Sequence, residues 1–156
     1  MERVLELGGY SARYCGRLFV QTGYSVSRVK SSPKPGWASK MAMNLFLDVE
    51  KHSLESFRQD LLDSFDVVIV EANSADEAIN LGIEEWKNAI VVVITPFGLS
   101  GPRRNWKATS STLLAMGGYT QLMGDEGRTP LTLPGHYVEF QTAQYAYTAA
   151  TSCLFA

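Results

Sequence analysis

The segment Ile90–Ile94, Ile-Val-Val-Val-Ile, constrains the fold more than any other part of the chain, because all five residues are β-branched and none is polar. β-Branched side chains favour extended backbone, and so continuous a run lacks the alternation of a strand with one wet face. It predicts a strand buried on both faces, as in a parallel sheet covered by helices. A loop carrying Pro96, Gly98, Gly101 and Pro102 follows at once. Ligands of open α/β sheets bind outside the carboxyl ends of the strands, so this loop is the first place to look for a site.

The preceding residues repeat the pattern. Residues 4–7 read as a short apolar strand ending at Gly8 and Gly9, and Ser11 is placed to cap a helix over 12–22 that Gly23 ends. Residues 25–30 form a second strand, completing a strand–helix–strand unit of the Rossmann type. The GxGxxG nucleotide fingerprint is absent, which makes a nucleotide-cofactor enzyme the weakest reading of this unit. After a loop over 31–40 with Pro33, Pro35 and Gly36, residues 44–48 are expected to form the third strand. Ser53 reads as the cap of a helix over 54–64. Residues 66–71 (DVVIVE) form another buried strand, followed by Ala72, Asn73 and Ser74 and short helical turns over 75–80 and 83–87. Beyond Pro102 come a helix over 110–116, a break at Gly117 and Gly118, a polar turn at 124–127, a proline-punctuated extended stretch at 129–136, and a long Ala-rich helix from about 138. The expectation is one α/β domain over 1–156, a Rossmann-like parallel sheet with helices on both faces.

Bulk properties exclude several function classes. Net charge is −2, from 14 basic and 16 acidic side chains, which leaves no electrostatic case for nucleic acid or an anionic membrane. No apolar run approaches the roughly 18–20 residues needed to span a bilayer, and Met1-Glu2-Arg3 leads straight into a strand without a signal peptide. Cys15 and Cys153 are the only cysteines and form no CxxC pair. Reduced thiols in a cytoplasmic protein are the reading, with Cys15 in the core. His52 and His136 lack spaced partners, so no metal site is expected. The sequence stops inside an apolar helical pattern without a stop signal, which reads as the N-terminal portion of a longer chain.

Several stretches, in order, resemble the class III CoA-transferases, the family of formyl-CoA transferase and carnitine CoA-transferase. Residues 12–29 follow that family's first helix and second strand with one residue missing. Leu45-Phe46-Leu47-Asp48 is similar to its "L-D-L" strand, and Asp66 to Glu71 to its "D-V-x-V-E-N" strand. Pro96-Phe97-Gly98-Leu99-Ser100-Gly101-Pro102 resembles its "G-F-G-x-x-G-P" loop, and residues 118–124 its "sGlm-x-x-tG" stretch. The resemblance implies an enzyme that moves CoA between carboxylic acids. It would take an acyl-CoA and a carboxylic acid acceptor, hold no permanent cofactor beyond the CoA thioester substrate, and act as a homodimer in full-length form.

Aligned on Gln144-Tyr145-Ala146, the family's catalytic aspartate falls on Glu139, which is otherwise read as a first-turn acid favoured by the helix dipole. The same alignment implies CoA contacts at Tyr10, Ser11, Ala12, Asn73, Ser74, Phe97 and Gly98; without it, Ser11 and Ser74 are helix caps and Gly98 a tight-loop glycine. Lys30, Lys34 and Lys40 could meet phosphates and Trp37 an adenine, or all four are plain surface; His136, three residues before Glu139, invites an acid–base role but is read as a structural or solvated loop residue. The chain departs from the family at Glu139 itself. It also lacks a basic N-x-K-R motif before residues 45–48 and an arginine near Asn80 or Leu81. These departures favour the alternative of a catalytically degenerate module that serves CoA binding or structure beside an active half.

Overall fold

Five strands run parallel in the order β3-β2-β1-β4-β5. They are β1 (Arg3–Leu7), β2 (Ser25–Val29), β3 (His52–Leu54), β4 (Val67–Glu71) and β5 (Ile90–Ile94). This computed structural model describes residues 2–29, 41–131 and 133–156, without the side chains of Gln59, Asp60 and Leu62. The proposed contacts at Lys30, Lys34, Trp37 and Lys40 lie outside the described residues. The chain winds outward from β1 to β3 and then returns to β4, so the order reverses between β1 and β4. A crevice at such a switch point is the usual binding place of a doubly wound sheet.

Alternation along the strands feeds two apolar layers. Val4, Val67 and Ile69 face helices α1 (Tyr10–Gln21) and α6 (Tyr137–Leu154), whereas Leu5, Val68 and Val70 face Phe65, Ala78, Ile83 and Trp86. On α6 the buried positions are Ala143, Ala146 and Ala150, spaced three and four apart on one stripe. Their small side chains let α6 lie close to α1, whose Phe19 meets Tyr24 and Tyr147 edge-on at 5.1 and 4.8 Å. Cys15 is fully buried in this layer, and burial pushes its thiol up to about 12, so it is core.

Three sequence-level expectations need correction. Ile90–Ile94 is a strand, but it lies at the sheet edge and its residues are only half-buried. The fully buried strand is β4, whose Val67 to Val70 are all 0% exposed because β1 and β5 flank it. Residues 44–48 are not a strand: they belong to helix α2 (Met41–Asp48), with Asn44 and Leu47 turned inward. That three-residue spacing, in a stretch without a β-branched residue, suits a helix better than a strand. The third strand is instead His52–Leu54, so Ser53 caps nothing, and the expected helix over 54–64 reduces to a 3-10 segment, Gln59–Ser64. The residue before β3 is thus Lys51.

That lysine belongs to a buried polar network. Lys51 Nζ donates to Glu6 Oε2 at 2.6 Å and to the Arg13 carbonyl at 2.7 Å. Arg13 in turn holds Asp48 through Nε (3.0 Å) and Nη2 (2.8 Å) and Asn44 Oδ1 through Nη1 (2.8 Å). Arg28 also pairs with Asp48. Gly16 makes room for the pair, since a Cβ there would overlap Glu6 Oε2. Burial pushes the Glu6 carboxyl up to about 7, against the pull of Lys51 and Arg28. A raised acid pKa means that the folded chain keeps a proton the unfolded chain has released. This contribution is therefore complete below the ordinary value of 4.5 and is lost as pH rises through about 7. Urea midpoints across that range should fall less steeply for Glu6→Gln than for the wild type; parallel slopes would refute the assignment.

Candidate functional site

All strands end on the same side, so the loops after β1, β4 and β5 share one edge. Gly8 opens the first of them at φ 142°, and a Cβ there would come within 2.5 Å of Glu71 Cβ, so only glycine permits this approach of β1 to β4. Glu71, at the end of β4, accepts from the Ala12 N–H at 2.9 Å and also from Ser11. It thus supplies the anion at the N-terminus of α1. Burial pushes its carboxyl up, opposed by those hydrogen bonds and reinforced by the neighbouring charge of Glu139. The charge of Glu139 is thus felt at Glu71, beside the β1–β4 switch point.

Glu139 lies in the first turn of α6. Its Oε1 accepts from Ser110 Oγ at 2.8 Å, and Ser110 is the first residue of α4 (Ser110–Met116). Its Oε2 is buried with no hydrogen-bond partner among the described residues. His136 Nδ1 is 3.8 Å from Oε1, too far to donate. The His136 ring instead lies against Tyr10, centroids 4.0 Å apart, and Phe140 stacks on Tyr14 at 4.3 Å. These rings seat the start of α6 against α1 and so carry Glu139 to the sheet edge.

The other sequence-proposed contacts scatter. Ser11 and Ala12 are buried and bonded to Glu71; Tyr10 is half-buried against His136. Ser74 caps α3 (Ala75–Ile79) by accepting from Glu77 N at 3.2 Å, while Asn73 donates twice to Glu77 Oε2. Phe97 is half-buried and meets Trp106 edge-on at 6.1 Å; Arg103 covers the other aromatic at 5.2 Å, and Gly98 is exposed at φ 77°. Thus Tyr10, Ser11, Ala12 and Glu139 are brought together, and Asn73 and Ser74 serve their own helix. Ser110 and Glu71 were missed by sequence reasoning. Ser110 showed only as a helix start and Glu71 as a strand end, and neither pattern says what lies across the crevice.

The architecture defines a Rossmann-like α/β domain with Glu71 beside its switch point and Glu139 near enough for its charge to be felt there. A profile of CoA-transferase family III matches residues 38–156. The chain belongs to that family. Its fold is similar to a CaiB/BaiF family protein from Brucella suis, with a TM-score of 0.80 at 21% identity over 99% of this chain and 48% of the other. The hypothetical protein Rv3272 from Mycobacterium tuberculosis superposes with a TM-score of 0.79 at 20% identity, again over 99% and 48%. Identity this low shows the fold alone. The chain spans about half the length of these solved structures. No curated protein matched. Among the described residues no helix is long and apolar enough to cross a membrane, and no three metal-ligating side chains cluster.

Proposed function

We propose that this protein moves coenzyme A from an acyl-CoA to a second carboxylic acid, with Glu139 as the reacting carboxylate. The observation that carries the reading is the inequality of its two oxygens: Oε1 is held by Ser110, and Oε2 is buried and bare. In the first step Oε2 attacks the thioester carbonyl, the C–S bond breaks, and CoA leaves as the thiolate from a mixed anhydride. The thiolate then attacks the Glu139 carbonyl and releases the donor acid, which leaves CoA on the enzyme as a thioester. The acceptor carboxylate attacks that thioester and expels the thiolate, forming a second anhydride. Thiolate attack on the acceptor's carbonyl yields the new acyl-CoA and frees Glu139. The positive end of α6 favours the free carboxylate that begins and ends each cycle. A cytoplasmic homodimer remains part of this reading.

A second reading is favoured by the cations. Arg13, Arg28 and Lys51 are engaged with Asp48 and Glu6 in the buried network, so none is free to meet a CoA phosphate. A silent half beside an active one has that character. Trapping separates the two. The intact native protein is incubated with several acyl-CoAs and hydroxylamine, which converts an activated carboxyl to a hydroxamate, and peptides are read by mass spectrometry. Hydroxamate on Glu139 is the expected result. Hydroxamate elsewhere, with Glu139 untouched, would assign this domain to the silent half.

A further inference from the structure

We infer that Ser110 is the oxyanion donor for the half of the reaction in which CoA thiolate attacks Glu139. The inference rests on the proposed CoA transfer and adds a residue that neither the family likeness nor the sequence pattern marks. Once Oε2 carries the acyl group, the oxygen left on the Glu139 carbonyl is Oε1. Thiolate attack turns that carbonyl tetrahedral and puts the negative charge on Oε1. The Ser110 hydroxyl is already 2.8 Å from this atom, within the 2.7–3.1 Å at which a donor stabilises a developing oxyanion.

Three features make the hydroxyl a preorganised donor. Ser110 is half-buried, at the start of a helix whose own cap is the neighbouring Thr109, which accepts from Thr112 N at 3.3 Å. Ser110 is therefore not needed to cap α4. Its backbone is helical, so the side chain is aimed by α4 and not by a free loop. No other hydrogen bond to either Glu139 oxygen is formed among the described residues. The same bond in the resting enzyme keeps Oε1 occupied and leaves Oε2 as the attacking atom.

The two half-reactions give the test. Ser110→Ala in the intact native protein should lower turnover on the order of 10²–10³-fold, with little change in KM for the acyl-CoA. Hydroxylamine should still label Glu139 in this variant, because the anhydride forms but passes slowly to the enzyme thioester. Ser110→Thr, which keeps the hydroxyl on the same carbon, should recover most of the rate. Ser110→Cys keeps the bulk with a poor donor and should stay as slow as Ser110→Ala, which decides the matter if the alanine variant melts early. Wild-type turnover in the Ala and Cys variants, with Glu139 still labelled in the native protein, overturns the role of Ser110 and leaves the transfer reading intact. Absence of label on Glu139 in the native protein overturns that reading itself.

Discussion

Glu139→Gln is expected to abolish CoA transfer, lowering turnover on the order of 10⁴-fold or more, the scale on which a nucleophile's loss is felt. The amide has the shape of the carboxylate and can keep the Ser110 bond through its carbonyl oxygen, so the α6 start should hold its place. What it lacks is the anionic oxygen that the proposed transfer requires. Melting temperature should therefore stay near that of the wild type while transfer between an acyl-CoA and a free acid, followed chromatographically, disappears. Glu139→Asp probes the other side of the argument. It keeps the carboxylate but draws it back by one methylene, about 1 Å, and a misplacement of that size costs on the order of 100-fold. Aspartate faster than glutamate would mean that the pocket is still shaped for the shorter acid. Full activity in the Gln variant would remove Glu139 from the chemistry.

Lys51→Met should be the most damaging single change to stability away from the site. Lys51 and Glu6 are both nearly inaccessible, at 0% and 1% side-chain exposure. The desolvation of such a pair is offset only while both partners remain. Taking away the lysine leaves a carboxylate whose other oxygen, Oε1, already lacks a hydrogen bond and sees Arg28 Nε only at 3.8 Å. Breaking a buried pair from one side costs about 3–5 kcal/mol. The loss should be largest above pH 7, where Glu6 must be charged, and should shrink toward pH 5, where its raised pKa lets it take a proton. The double variant Lys51→Met/Glu6→Gln should recover part of the stability, because no buried charge is left behind. Denaturant midpoints for the three proteins at two pH values decide this. A single-variant cost below ~1 kcal/mol at both would show that water reaches Glu6.

Local pattern carried much of the architecture. The β-branched runs at 67–70 and 90–94, the glycines after β1, and the small-residue stripe of α6 all mark elements that the fold contains. Where pattern failed, a short-range signal was set against a longer-range one. Leu45-Phe46-Leu47 is apolar enough for a strand, yet Asn44 and Leu47 turn inward because Arg13, 31 residues earlier in sequence, needs the Asn44 amide. The buried Glu6–Lys51 pair spans 45 positions, and no periodicity reports an attraction over that distance.

The candidate site divides in the same way. Glu139 is visible in sequence as an acid at a helix start, and the family likeness marks its position. The sequence by itself thus determined the α/β class and the parallel strands, and through the family likeness it offered Glu139 as the candidate carboxylate. Only the tertiary structure decided that Ser110 reaches one of its oxygens and that Glu71, half-buried, accepts from the mouth of α1. Those contacts depend on where separate helices stop against a common sheet. A side chain's neighbours across a crevice are set by packing, and packing is not written in the spacing of residues along one chain.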